Sequence, residues 1–183
     1  MKIICINGSP MSGKDTFVEF CGSQTSGVFN TSMIDCIKRI ASLFGWNGDK
    51  GKKDRKFLSD LKDLITEYND FPFIDVLEQL MIAEKNHKYY EWYDGLDKEL
   101  ICFIHAREPK DIERWRDEYG AKALLIRREE TEGDYGNHAD DQVFDVDYDY
   151  VIFNDSDLDD LEKKAKNFIE QVRKEEWYSE IWK

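Results

Sequence analysis

Long apolar runs are missing from this 183-residue chain. The longest strictly apolar stretch, Leu100–Ile104, has five residues, against the ~20 that a membrane-crossing helix needs. A helical membrane span is therefore excluded. Positive charge is also scarce. Lys and Arg total 26 against 39 Asp and Glu, for a formal net charge of −13 and a pI of about 4.7. Such a surface repels phosphate backbones, which argues against general nucleic-acid binding. A small anionic ligand stays open where positive charge is gathered locally. Cysteine is sparse and dispersed: Cys5, Cys21, Cys36 and Cys102 form no C-x-x-C pair and read as buried or partly buried reduced thiols. No export-type apolar core follows Met1-Lys2, because Ile3–Ile6 gives way at once to Asn7-Gly8. A cytoplasmic location is the expectation.

Aromatic residues are not scarce. They make up 14% of the chain, enough for a packed core and too many for a disordered segment. The length fits one domain. Apolar runs at Ile3–Ile6, Leu100–His105, Ala123–Ile126 and Tyr150–Phe153 read as buried strands, and Val28-Phe29 as a weaker one. Helical spacing follows Lys14. Ser32 is positioned to cap a helix bearing Met33, Ile37, Ala41 and Phe44 that ends at Gly45. A helix over 54–68 carries Phe57, Leu58, Leu61, Leu64 and Ile65 on one side. Another opens at Phe71-Pro72 and runs to about Tyr90, with Ile74, Leu77, Leu80 and Met81 on one face. Gly95 ends that region. Pro109 opens a helix that Gly120 closes. Asp157 caps a last helix, whose aromatic end, Trp177 to Trp182, would dock on the body or on a partner. The stretch 129–147, with Gly133 and Gly136, has almost no apolar periodicity and reads as a mobile excursion. Alternating strands and helices predict an α/β fold with a parallel sheet covered on both faces.

One segment carries recognisable chemistry. Gly8-Ser9-Pro10-Met11-Ser12-Gly13-Lys14 has the form G-x-x-x-x-G-K between a predicted strand and a predicted helix. Glycines let phosphate oxygens approach backbone N–H groups. The helix start adds its positive end, and Lys14 supplies a point charge for the outer phosphates. After Lys14 come Asp15 and then Thr16, so the hydroxyl that usually meets Mg²⁺ is displaced by one residue. Arg107, Arg127 and Arg128 follow predicted strand ends, where ligands bind in open α/β sheets. They serve either a moving phosphoryl group or surface ion pairs.

The stretch Gly13-Lys14-Asp15-Thr16 resembles the bacteriophage deoxynucleoside monophosphate kinases, which carry G-K-D-T here. More broadly it resembles the P-loop nucleoside monophosphate kinases, among them adenylate, guanylate and dephospho-coenzyme A kinases. Other segments fall in a matching order: Ser32–Lys38 after the second strand, Arg55–Leu58, Ile104–Glu108, Leu125–Arg128 leading into a lid, and Asp149–Asp155 as the last strand and the loop against adenine. One position departs, His105, where the family often has Asp. That departure moves the metal role toward Asp15, Asp35 or Glu108.

The resemblance implies a three-layer P-loop fold with a five-stranded parallel sheet. It implies a single domain with an acceptor-binding helical excursion over about 46–98 and a lid over about 128–147. It implies ATP-dependent phosphorylation of a nucleoside monophosphate, a deoxynucleotide in particular, with ATP and Mg²⁺. The catalytic candidates are Lys14, Arg107, Arg127 and Arg128. Those for ATP are Gly8, Ser12, Gly13, Lys14, Asp15, Thr16 and Asn154, and Asp15 and Thr16 are also candidates for Mg²⁺. For the acceptor they are Asp35, Lys38, Arg55 and Glu108. Each acceptor candidate has a plainer role open to it: Asp35 as a first-turn carboxylate, Arg55 within the basic patch of Lys52, Lys53 and Lys56, and Glu108 as a helix cap. His105 reads as a strand-end histidine, His138 beside Asp140 and Asp141 as a solvated loop, and Tyr89, Tyr90, Trp92 and Tyr93 as core more than base pocket. The partners expected are nucleotides; a homodimer stays open. The rivals are a nucleotide-binding or interaction protein with weak catalysis, and a P-loop kinase of a non-nucleotide phosphate.

Overall fold

The structure is a computed structural model that describes residues 1–49, 51–94, 99–131 and 142–181, without the side chains of Tyr93 and Asp94. Five strands, β1 (Lys2–Asn7), β2 (Val28–Ser32), β3 (Ile101–His105), β4 (Lys122–Arg127) and β5 (Tyr150–Phe153), form one sheet in the order β2-β3-β1-β4-β5. Every pairing is parallel. The helices are α1 (Lys14–Gln24), α2 (Asp35–Leu43), α3 (Lys52–Asn69), α4 (Phe71–Asp94), α5 (Pro109–Tyr119) and α6 (Leu158–Lys174). The P-loop-type α/β architecture expected from the sequence is what the chain adopts.

The strands are apolar without interruption because both faces of the sheet are covered. The pleat sends alternate residues to opposite sides. Ile4, Ile6, Phe103 and Leu124 pack against Phe17 of α1 and Phe168 of α6. Ile3, Cys5, Cys102 and Ile104 pack against Leu80 of α4 and Trp115 of α5. Chain order explains the two layers. The connection from β1 to β2 runs one way along the sheet, and that from β3 to β4 runs the other way across β1. Right-handed crossovers then put α1 and α5 on opposite faces. A crevice results at the carboxyl end of β1, where the strand order reverses.

The far end of β1 is held by charge. Lys2 is buried, and its ammonium donates to Val172 O (2.5 Å) and Glu175 O (2.8 Å) and pairs with Glu99 (3.0 Å). A cation at the last carbonyls of α6 complements the helix dipole. The tail docks on the body: Ser179 N donates to Met1 O (3.0 Å), Ile3 N donates to Ser179 Oγ (3.1 Å), and Ile181 is buried. Asp157 caps α6 by accepting from Asp160 N (2.9 Å). All four cysteines are free and buried, and burial raises each thiol, Cys36 to about 11 and Cys102 to about 12.

Four expectations are corrected. Ser32 is the last residue of β2 and not a cap, and Ile34 stands at the N-cap of α2. The apolar side of α3 is only partly covered, with Phe57 and Leu64 exposed, because α3 packs mainly on α2 and α4. Tyr89, Tyr90 and Trp92 are exposed as well. At 24 residues α4 is about 36 Å long, while a five-residue strand spans about 17 Å. Its last turns therefore run past the sheet and have no layer to pack on. Ile74, expected on the buried face of α4, is 41% exposed. Gly95, Gly133, Gly136, His138, Asp140, Asp141, Trp182 and the side chain of Tyr93 lie outside the described residues, as does half of the stretch expected to form a lid.

The one buried side chain of α3 is a lysine. Lys62 Nζ lies 2.6 Å from Glu108 Oε1 and 2.5 Å from Asp111 Oδ2, and Lys110 also pairs with Glu108 at 2.8 Å. This cluster ties α3 to the start of α5. Burial raises the Asp111 carboxyl. Burial acts the same way on Glu108, but Lys62 and Lys110 outweigh it and hold that carboxyl below its usual range. Lys62→Met would leave two buried carboxylates facing each other, a loss of about 3–5 kcal/mol at pH 7. The Asp111 carboxyl, already raised by burial, would lose its main counter-charge and lie further above its unfolded value, so the variant regains stability as pH falls. Urea unfolding at pH 7 and pH 5 should show the gap to wild type narrowing. A gap that widens, or one below about 1 kcal/mol at pH 7, contradicts this account.

Candidate functional site

The crevice at the end of β1 is filled by the Gly8–Lys14 loop. Asn7, fully buried, starts it: its Oδ1 accepts from Gly8 N (2.8 Å), and its Nδ2 donates to Arg107 O (3.1 Å) and Tyr148 Oη (2.9 Å). The loop then folds close against its neighbours. Gly8 has φ +148, and a Cβ there would lie well under 3.0 Å from the Ile126 carbonyl oxygen at the end of β4. Gly13, at the N-cap of α1 with φ +96, would meet the Asn154 amide in the same way. Asn154 Nδ2 donates to Ser12 O (2.8 Å), and Asn154 N to Arg127 O (2.7 Å). The ends of β1, β4 and β5 thus converge on one loop.

Lys14 lies beneath the loop, with only 8% of its surface exposed. Its ammonium donates to Gly8 O and Ser9 O, both at 2.7 Å. A cation is therefore stored inside a ring of backbone, at the amino end of α1. Asp15 and Thr16 open that helix, and the Asp15 carboxylate is 90% exposed.

His105 ends β3, in register with Ile6 of β1 and Ser32 of β2. Its side chain is 13% exposed, and its Nδ1 lies 3.7 Å from Asp15 Oδ1. Burial is the main cause that pushes the imidazole down to about 4, and the charges felt there are those of Asp15, Lys14, Asp35 and Arg107. The ring is neutral at pH 7 and stands among four of the expected site residues. Its Nε2 is buried without a hydrogen-bond partner among the described residues.

The remaining candidates fall into three situations. Arg107 and Arg128 follow the ends of β3 and β4 as expected, whereas Arg127 is the last residue of β4 itself. The Arg127 guanidinium lies 5.6 Å from the centre of the Phe144 ring and 5.7 Å from that of Phe153, and Arg128 pairs with Glu130 at 2.9 Å. A cavity of about 530 Å³ beside Asn154 is lined by Arg128, Ser156, Asp157, Leu158 and Asp159. Asp35 and Lys38 pair with each other at 2.9 Å on α2, both partly exposed. Glu108 stands at the N-cap of α5, but its carboxylate does not cap and belongs to the Lys62 cluster. Arg55 is half-buried in the first turn of α3.

Two residues escaped the sequence reading. Asn7 carried a signal, since it is a polar residue that ends an apolar strand directly before a glycine. Tyr148 carried none, because only the fold brings it to Asn7. Among the described residues no cluster of three or more His, Cys, Asp or Glu is placed to hold a metal, and no helix is long and apolar enough to cross a membrane.

No family profile matches the sequence, and no curated protein matches it. Solved structures do match. One is the unliganded crystal structure of a sugar kinase from Janibacter sp. HTCC2649, 16% identical, with 93% of this chain and 95% of that chain covered and a TM-score of 0.47.

Gly8→Ala sets a carbon against a backbone carbonyl that no rotamer change can clear. It should cost about 1–3 kcal/mol and open the loop. Tripolyphosphate should raise the thermal midpoint of the wild type and not that of Gly8→Ala. Equal protection of both would remove the loop from anion binding.

Proposed function

We propose that this chain is an ATP-dependent phosphotransferase whose acceptor is a nucleoside monophosphate, a deoxynucleotide in particular. The observation that carries the reading is the loop between β1 and α1, in which two glycines permit close backbone contacts and Lys14 is held beneath. The order of the other motifs, from Ser32–Lys38 to Asp149–Asp155, supports the acceptor class.

The chemistry asked of the chain is positioning and charge stabilisation. Lys14 exchanges two carbonyl partners for phosphate oxygens, which are stronger acceptors. Gly8, Ser12 and Gly13 shape the cradle, and Asn154 braces it through Ser12 O. The cavity beside Asn154 and Arg128 is where the base of ATP fits. Asp15 and Thr16, at the edge of the loop, suit a divalent cation, for which Mg²⁺ is the family expectation. That ion offsets phosphate charge when bound. Arg107, Arg127 and Arg128 meet the charge that spreads over the phosphoryl group during transfer. On the acceptor side stand Asp35, Lys38 and Arg55, with Glu108 fixing the chain beside Arg107. The acceptor phosphate is already ionised at pH 7, so no strong protein base is needed.

A second reading has a non-nucleotide phosphate as acceptor. It is favoured by the engagement of Glu108 with Lys62 and of Asp35 with Lys38, which leaves fewer polar groups to read a nucleoside.

A coupled ADP-release assay across the common ribo- and deoxynucleoside monophosphates tests the proposal. Turnover with a deoxynucleotide is expected, and it should stop on full chelation of divalent ions. Lys14→Ala should abolish it in a folded protein. Arg127→Ala and Arg128→Ala should lower kcat by roughly 10²–10³ and leave ATP affinity within about tenfold, as expected for contacts made in the transition state. ATP binding without turnover on any monophosphate would instead support a binding module.

A further inference from the structure

We propose that Asp15 and His105 together form the cation site of the phosphate-binding loop, and that this site takes a first-row divalent transition ion through an imidazole nitrogen in preference to Mg²⁺. The inference rests on the reading of the loop as a phosphate site and refines which ion works there. Its starting point is that the two positions where the chain departs from the usual loop chemistry face each other.

The separation of Asp15 Oδ1 and His105 Nδ1, 3.7 Å, is too long for a hydrogen bond. It suits two donors on one ion, since bonds of about 2.0–2.2 Å place neighbouring ligands about 3–4 Å apart. The carboxylate is 90% exposed on the loop side, whereas the ring is mostly covered, so only the carboxylate is freely solvated. The second ring nitrogen, Nε2, is also without a hydrogen-bond partner among the described residues. Nε2 is thus a buried atom whose unmade hydrogen bond costs about 1–3 kcal/mol, while Nδ1 faces the Asp15 carboxylate. Nδ1, the nitrogen that faces Asp15, is the one placed to meet an ion.

Ligand chemistry then selects the ion. Mg²⁺ takes oxygen ligands in a strict octahedron and keeps much of its water. Imidazole favours first-row transition ions. A loop with Asp at β3 would present oxygen alone, and His105 replaces that oxygen with nitrogen. Thr16, one residue beyond Asp15, and the phosphates of a bound nucleotide complete an oxygen-rich remainder. The site is therefore of mixed nitrogen and oxygen character and forms fully only when a polyphosphate is present.

The test uses Mn²⁺ with ADP on the full chain, with histidines labelled with ¹⁵N so that the nitrogens of the adenine remain distinct. Equilibrium dialysis first establishes whether ADP binds. Electron spin-echo modulation of bound Mn²⁺ should show ¹⁵N coupling from one histidine, and the coupling should vanish in His105→Gln. Electron paramagnetic resonance titration should show Mn²⁺ affinity in the ADP complex falling at least about tenfold in both His105→Gln and Asp15→Asn. Mn²⁺ bound with ADP but showing no ¹⁵N coupling overturns the inference and leaves the phosphotransferase reading standing. Coupling retained in a folded His105→Gln variant overturns it equally. If that variant does not fold, the labelled wild type and Asp15→Asn decide. Failure of ADP to bind at all overturns the loop reading, and this inference with it.

Discussion

The main chain at Gly8 comes so close to the Ile126 carbonyl that no side chain fits between them. That contact lets the chain turn sharply at the end of β1, cross the end of β4 and begin α1 only six residues later. The second tight approach, Gly13 against Asn154, pins the other end of the same turn to the segment after β5. A loop held at both ends has its carbonyls turned to one place, and Lys14 occupies that place. The strand order supplies the rest. Because the direction of the connections reverses at β1, the ends of β3 and β4 flank the strand that leads into the loop, and an arginine stands at or just after each.

Charge organises both ends of the sheet in a chain whose net charge is −13. At the carboxyl end Lys14 is held by the carbonyls of the loop, and Arg107, Arg127 and Arg128 lie at or just after the ends of β3 and β4. At the other end Lys2 closes α6 from inside the core, and the tail after α6 pairs through Glu175 with Lys122 (2.6 Å) and Tyr150. Between them, the Lys62 cluster joins α3 to Glu108, which immediately follows Arg107. The position of the helical excursion and that of an arginine at the site are thereby linked through one buried ammonium. Buried ion clusters add little net stability when complete and cost much when broken, so this one sets where α3 sits.

Much of this was legible in the residues. Ile3–Ile6 followed by Asn7-Gly8 announces a buried strand running into a turn, and the spacing of Gly8, Gly13 and Lys14 announces the cradle. Pro109, Gly120 and Asp157 mark helix ends by local geometry that needs no tertiary context. What was not legible depends on partners distant in sequence. Lys62 looks like any solvated helix lysine until α5 places two carboxylates beside it. Tyr89, Tyr90 and Trp92 look like core until the length of α4 is set against that of the strands. Ser32 has the chemistry of a cap, yet pairing with β3 extends β2 through it. His105 reads as a strand-end histidine in sequence, and its meaning changes only when the fold sets it against Asp15.

The central claim is that the loop binds ATP in order to pass its terminal phosphoryl group to another phosphate. The most direct measurement is phosphorus NMR of ATP mixed with a deoxynucleoside monophosphate, the protein and a divalent ion. The account predicts that the γ resonance of ATP falls while the α and β resonances of a new deoxynucleoside diphosphate grow in equal proportion. Release of inorganic phosphate alone, or an unchanged spectrum from folded protein that binds ATP, would contradict it.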